Sequence, residues 1–143
     1  MLFHRLTLEA FCHATEDPKK VKEALLSFVP FDVTEKDTSQ DKLEGSFGND
    51  IIVYRISFDK QPEINKTIDF VKSSISQEQM ENFYVDEHVT DDDNFWVRFD
   101  KQAAVGGKVS LGGKDTIQLK GKVAAFPAKR EKAVQMMEDF WRV

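Results

Sequence analysis

The chain is poor in several residue types, and each shortage removes a class of protein. One cysteine among 143 residues excludes an internal disulfide and points to a reducing compartment. No apolar run approaches the roughly 20 residues needed to cross a bilayer. The opening M-L-F-H-R-L-T-L-E-A-F alternates and does not form the core of a signal peptide. A cytoplasmic protein is expected. The three histidines, His4, His13 and His88, lie far apart, and His4 shares an alternating face with leucines. Neighbouring side chains such as Cys12 and His13 point to opposite sides of a strand, which disfavours a shared metal. Asp91-Asp92-Asp93 lacks the alternating oxygen ligands, glycine and terminal Glu of a calcium loop, and reads as a solvated acidic turn.

Catalytic signatures are equally scarce. Cys12 falls on the apolar face of its strand, where a thiol is usually inert packing. No Gly-x-Ser-x-Gly elbow occurs. A metal nuclease needs convergent carboxylates, yet Asp100 and Asp115 are the only acids between residues 96 and 130. The two Gly-Gly-Lys units at 106–108 and 112–114 invite a phosphate-loop reading, which fails on spacing. After Gly107 the next Gly-Lys pair arrives one residue late, and Asp115 stands where a hydroxyl should hold magnesium. The pair reads as glycine-rich turns bracketing a flexible hairpin arm. No catalytic residue, metal site or cofactor is expected, and the chain reads as non-enzymatic.

What is present suits one globular domain spanning residues 1–143. Hydrophobic residues make up 41% and charged residues 31%, and twelve Phe against two Tyr signal an apolar core. Leu2 to His13 alternates as a strand. Asp17 and Pro18 start a helix with Val21, Ala24, Leu25 and Phe28 on one stripe, ended by Pro30. Residues 32–47 are polar with one further strand, followed by the turn cluster Gly45 to Asp50. Ile51 to Phe58 is the clearest strand. Pro62 opens a second helix carrying Ile64, Ile68, Val71 and Ile75. Ser76 and Gln79 have capping-box spacing for a short helix. Tyr84 to Val89 reads as a short strand, Phe95 to Phe99 as another, and Thr116 to Phe126 as the last. Pro127 starts the final helix, with Ala133, Val134, Met137, Phe140 and Trp141 inward. The expected fold is α+β: a single, mostly antiparallel sheet with helices packed on one face.

Charge is segregated along this chain. Residues 96–132 hold nine Lys/Arg and three Asp/Glu, whereas residues 1–95 hold ten Lys/Arg against twenty Asp/Glu. A one-signed patch on a net-acidic protein attracts an oppositely charged partner, and a phosphate backbone is the first candidate. An ordinary solvated face is the alternative. Arg98 shares a strand face with Trp96, and Lys120 and Lys122 share one with Gln118 and Phe126. Cations interleaved with an aromatic on a sheet face make a platform that neutralises phosphates and stacks bases. Lys129 and Arg130 lie at a helix start, where cations oppose the helix dipole, so another purpose, such as meeting an anion, is expected of them.

Four blocks carry a resemblance: A-F-C-H-A-T-E-D (Ala10 to Asp17), the Gly48-Asn49 turn, N-F-W-V-R-F-D-K-Q-A-A (Asn94 to Ala104) and V-A-A-F-P-A-K-R-E-K-A (Val123 to Ala133). Over nearly its whole length the chain resembles an archaeal family of small RNA-binding proteins, also described as predicted exosome subunits. The resemblance implies an archaeal source and a fold like that of the large-subunit ribosomal protein that binds five-S RNA. It implies no catalytic residues. The expected function is non-enzymatic RNA binding, as an accessory to RNA processing or degradation. Arg98, Lys101, Lys120, Lys122, Lys129 and Arg130 are the expected phosphate contacts, with Trp96 for stacking. The rival is a protein-interaction module whose basic face docks an acidic protein partner.

Overall fold

A computed structural model describes residues 1–33, 38–44 and 49–142. Five strands, β1 (Phe3–Cys12), β2 (Thr38–Glu44), β3 (Asp50–Phe58), β4 (Asn94–Asp100) and β5 (Thr116–Val123), form one sheet in the order β2-β3-β1-β5-β4. Every neighbouring pair is antiparallel. The helices are α1 (Pro18–Leu26), α2 (Gln61–Ser74), α3 (Gln77–Glu81), α4 (Lys101–Val105) and α5 (Arg130–Arg142). The α+β expectation holds.

The sheet has one dry side and one wet side because its strands alternate. Leu6, Leu8, Ala10, Ile56, Phe58, Phe95, Val97, Phe99, Ile117, Leu119 and Val123 are buried and share one core with the inward residues of α1, α2 and α5, among them Val21, Leu25, Ile68, Val71, Met137 and Trp141. Two caps were legible. The Asp17 carboxylate accepts from the Lys19 N–H at the start of α1, and Ser76 accepts from Gln79 at the start of α3. The second half of the capping box is absent among the described contacts. The Gln79 amide reaches across to Ser110 and Leu111 instead.

Four expectations need correction. First, β1 carries an irregularity: Phe3 pairs with Val123, yet Arg5 already pairs with Lys122. The extra residue reverses the alternation, as a bulge does, so Phe3 is buried and His4 is exposed. Second, residues 85–88 form a turn of 3-10 helix, Val85–His88, and only Val89 bridges to Phe95. Third, the glycine-rich arm is no hairpin. Asp100 caps α4 by accepting from the N–H groups of Gln102 and Ala103, and Leu111 returns to bridge Phe99. Gly107, Gly112 and Gly113 take positive φ in this path, which glycine adopts without a steric penalty. Fourth, α5 begins at Arg130, so Pro127 precedes it. The turn cluster Gly45 to Asp50 lies mostly outside the described residues.

Candidate nucleic-acid interface

The face of the sheet opposite the core presents the even residues of β4 and β5 beside the odd residues of β1. Cross-strand register decides who meets whom. Lys122 stands between Arg5 and Asn94, Lys120 between Thr7 and Trp96, and Gln118 between Glu9 and Arg98. Neighbouring strands lie about 4.8 Å apart, and alternate residues along a strand are about 7 Å apart. Arg5, Lys120, Lys122 and Arg98 therefore fall within one patch about 17 Å across. All four are exposed. Arg5 was not singled out from the sequence, because its partners come from the far end of the chain. Its Nε donates to Ser57 Oγ at 2.7 Å, which holds the guanidinium on the face. Lys122 Nζ donates to the Asp92 carbonyl oxygen. Beyond Glu9, Arg55 pairs with both Glu9 and Asp41 at 2.6 and 2.5 Å, so this trio keeps one net negative charge and the positive patch ends there.

Trp96 is half-buried and already in contact on two sides. The His88 ring lies 4.2 Å from it, and the Arg98 guanidinium carbon sits 4.9 Å from its ring centre. Phe83 packs on His88 at 4.1 Å and on the buried Trp141 at 4.4 Å. The result is a column of rings running from the core to a cation, each contact at a distance suited to aromatic or cation–π attraction. Burial pushes the His88 pKa below its ordinary 6.5, and its hydrogen bond to Trp96 opposes this only in part. The ring is neutral at pH 7. Nδ1 lies 3.0 Å from the Trp96 carbonyl oxygen, which can only accept, so Nδ1 carries the proton and Nε2 keeps its lone pair.

The remaining expected cations are placed elsewhere. Lys101 is fully buried. Its ammonium donates to Phe11 O at 2.6 Å, Glu16 Oε1 at 2.7 Å and Asp115 Oδ2 at 2.8 Å. All three of its protons are committed, so the expectation of a phosphate contact at Lys101 is corrected. Arg130 is an internal tie, bonding the Val89 carbonyl at 3.1 Å and pairing with Asp86 at 3.3 Å. That contact explains a cation at the first position of α5. Lys129 is exposed and belongs to the loop before α5, outside the strands that carry the four-cation patch.

One donor set for a metal is present among the described residues. His13, Glu16 and Asp115 bring ligand atoms within 4.8 Å of one another. The Lys101 ammonium sits on both carboxylates of that set, so the chain supplies its own cation there.

A family model described as RNA binding matches residues 5–123. The RNA-binding protein PAB1135 of Pyrococcus abyssi is 34% identical over 142 residues, covering 96% of this chain and 92% of that one. An uncharacterised protein of Methanocaldococcus jannaschii, MJ0213, is 34% identical over 122 residues, covering 81% and 80%. The crystal structure of protein AF2318 from Archaeoglobus fulgidus superposes with a TM-score of 0.84 at 26% identity, covering 96% of this chain and 98% of that one. The structure of Mth689 from Methanothermobacter thermautotrophicus gives 0.80 at 28% identity, covering 99% of each. No helix among the described residues is long and apolar enough to cross a membrane. The match over most of its length shows that the chain belongs to this archaeal RNA-binding family.

Proposed function

We propose that the face of the sheet opposite the core binds RNA directly, and that the protein acts by binding and not by catalysis. The observation that carries this reading is the register of β1, β5 and β4, which sets Arg5, Lys120, Lys122 and Arg98 side by side with Trp96 at their edge. Phosphates along a single strand are spaced comparably to alternate residues of a β-strand, so several can be met at once. An exposed sheet face bearing cations and an aromatic is a recurrent solution for single-stranded RNA. Because Arg98 lies over Trp96, the outermost planar surface is the guanidinium, and bases stack on such planes as well as on rings.

The reading is tested by fluorescence anisotropy with labelled single-stranded and duplex RNA at several salt concentrations. Binding must weaken as salt rises, because neutralised phosphates release counterions. Wild-type protein that binds neither RNA in a salt-dependent way at low ionic strength overturns it and favours an acidic protein partner. The narrower role, an accessory to RNA processing or degradation in an exosome-type complex, is supported by the family resemblance, as is the likeness to the ribosomal protein of five-S RNA. A pull-down from native lysate with and without ribonuclease tests it, since a direct protein contact survives the nuclease and an RNA-bridged one does not.

A further inference from the structure

At the β4 edge of this face a cleft of about 640 Å³ opens between α3 and the loop that returns from α4. Trp96 and Arg98 line it from the strand, Glu78, Asn82 and His88 from the α3 side, and Gly112 from the loop. Its size lies within the roughly 300–1,000 Å³ range of small-molecule sites. We propose that this cleft receives one unpaired base of a bound RNA strand, with guanine preferred, and that Glu78 reads it. The inference rests on the RNA-binding reading of the adjacent cation patch.

The cleft is built before any ligand arrives. Its strand side is the end of the ring column Trp141–Phe83–His88–Trp96, whose steps are 4.4, 4.1 and 4.2 Å. Its loop side is pinned at three points. Gln79 Nε2 donates to Ser110 Oγ at 3.2 Å, the Leu111 N–H donates to Gln79 Oε1 at 3.0 Å, and the Gly112 N–H donates to the Arg98 carbonyl at 2.9 Å. A site fixed in this way spends little binding energy on ordering.

Charge separates the roles of cleft and patch. Glu78 is exposed, lines the cleft, and has no salt-bridge partner among the described residues. A free carboxylate repels phosphate, so the backbone of the strand belongs on Arg5, Lys120 and Lys122. What a carboxylate accepts is a neutral group that donates. Guanine alone among the four RNA bases presents two adjacent donors, N1–H and N2–H, on its Watson–Crick edge, matching the two carboxylate oxygens. Uracil presents one N–H flanked by two carbonyls, and adenine and cytosine each set a ring acceptor beside their amino group. In a duplex that edge is already paired, so the cleft reads only unpaired bases.

The test uses the full chain and short labelled oligouridylates that carry, at one central position, guanosine, inosine or uridine. The guanosine strand should bind roughly tenfold tighter than the all-uridine strand, the worth of one or two hydrogen bonds to a charged group. Inosine, which lacks the N2 amino group, should fall between them. Glu78→Gln should abolish the preference, bringing the guanosine and all-uridine strands to equal affinity. Salt-dependent binding with no guanosine preference overturns the cleft assignment alone, as does a preference that Glu78→Gln leaves intact. Loss of all salt-dependent binding in the wild type overturns the RNA reading and this inference with it.

Discussion

Lys101 offers a sharp test, because the sequence places it among phosphate contacts and the structure places it in the interior. Lys101→Met keeps the length of the side chain and removes its charge. Its ammonium is held by the Phe11 carbonyl at 2.6 Å and by two carboxylates at 2.7 and 2.8 Å. Without it, Glu16 and Asp115 face each other across an uncompensated gap. Removing one member of a buried ion pair costs about 3–5 kcal/mol. The Asp115 side chain is 35% exposed and that of Glu16 19%, so water reaches both, and the lower end, about 3 kcal/mol, is expected. Urea slopes for small proteins run at about 1–3 kcal/mol per molar, so the unfolding midpoint should fall by about 1–3 M. Lys129→Met, at an exposed loop position, should move stability by no more than about 0.5 kcal/mol. RNA affinity of the folded Lys101→Met protein should keep the wild-type salt slope. An unchanged midpoint together with a flattened salt slope refutes the burial argument.

Three further outcomes follow from the packing. Ile68→Ala on α2, 7% exposed, should cost roughly 2–5 kcal/mol by urea unfolding, as other large-to-small core changes do. Gly121→Ala should destabilise by about 1–3 kcal/mol through overpacking, since an added Cβ would come within 2.6 Å of the Phe3 ring and 2.8 Å of Leu6; a neutral change there contradicts the close approach of β1. His88 is held below 6.5 by burial, so the unfolded chain takes up this proton first as pH falls. Its share of stability is full above the unfolded value, about 6.5, and is lost as pH falls towards the lower folded value. His88→Gln should flatten the fall in stability that begins as pH drops through about 6.5, and an unaltered profile means that His88 titrates normally.

Much of the fold was legible because alternation and caps are local. The strands around Leu6, Ile56, Val97 and Leu119, and the start of α1 at Asp17 and Pro18, needed only near neighbours in sequence. What was missed depends on distant partners. His4 looked buried by alternation, and only the pairing of Phe3 and Arg5 with β5 reveals the extra residue that turns it out. Arg5 became part of the patch because β5 folds back beside β1, a pairing across more than 110 residues. The burial of Lys101 needs Glu16, 85 positions away. One miss had a local signal. Asp100 followed by Lys-Gln-Ala-Ala is a capping residue before good helix formers, and it does start α4. Trp96, Arg98, Lys120 and Lys122 do share one sheet face, because strand alternation fixes which of them point the same way. Lys129 and Arg130 did not join it, because Arg130 is spent on Asp86 and Val89.

The most direct test of the central claim is the salt dependence of RNA affinity in the Lys120→Ala/Lys122→Ala double variant. Both side chains are exposed, and the Lys122 contact to the Asp92 carbonyl is a surface one, so the fold should be retained. For single strands the log–log slope is about −0.7 per phosphate contacted. Loss of two contacts should flatten it by about 1.4. Because phosphate contacts carry no base information, strands of different sequence should weaken by the same factor. A slope equal to the wild-type value, or a loss confined to particular sequences, would contradict an RNA backbone lying across β5.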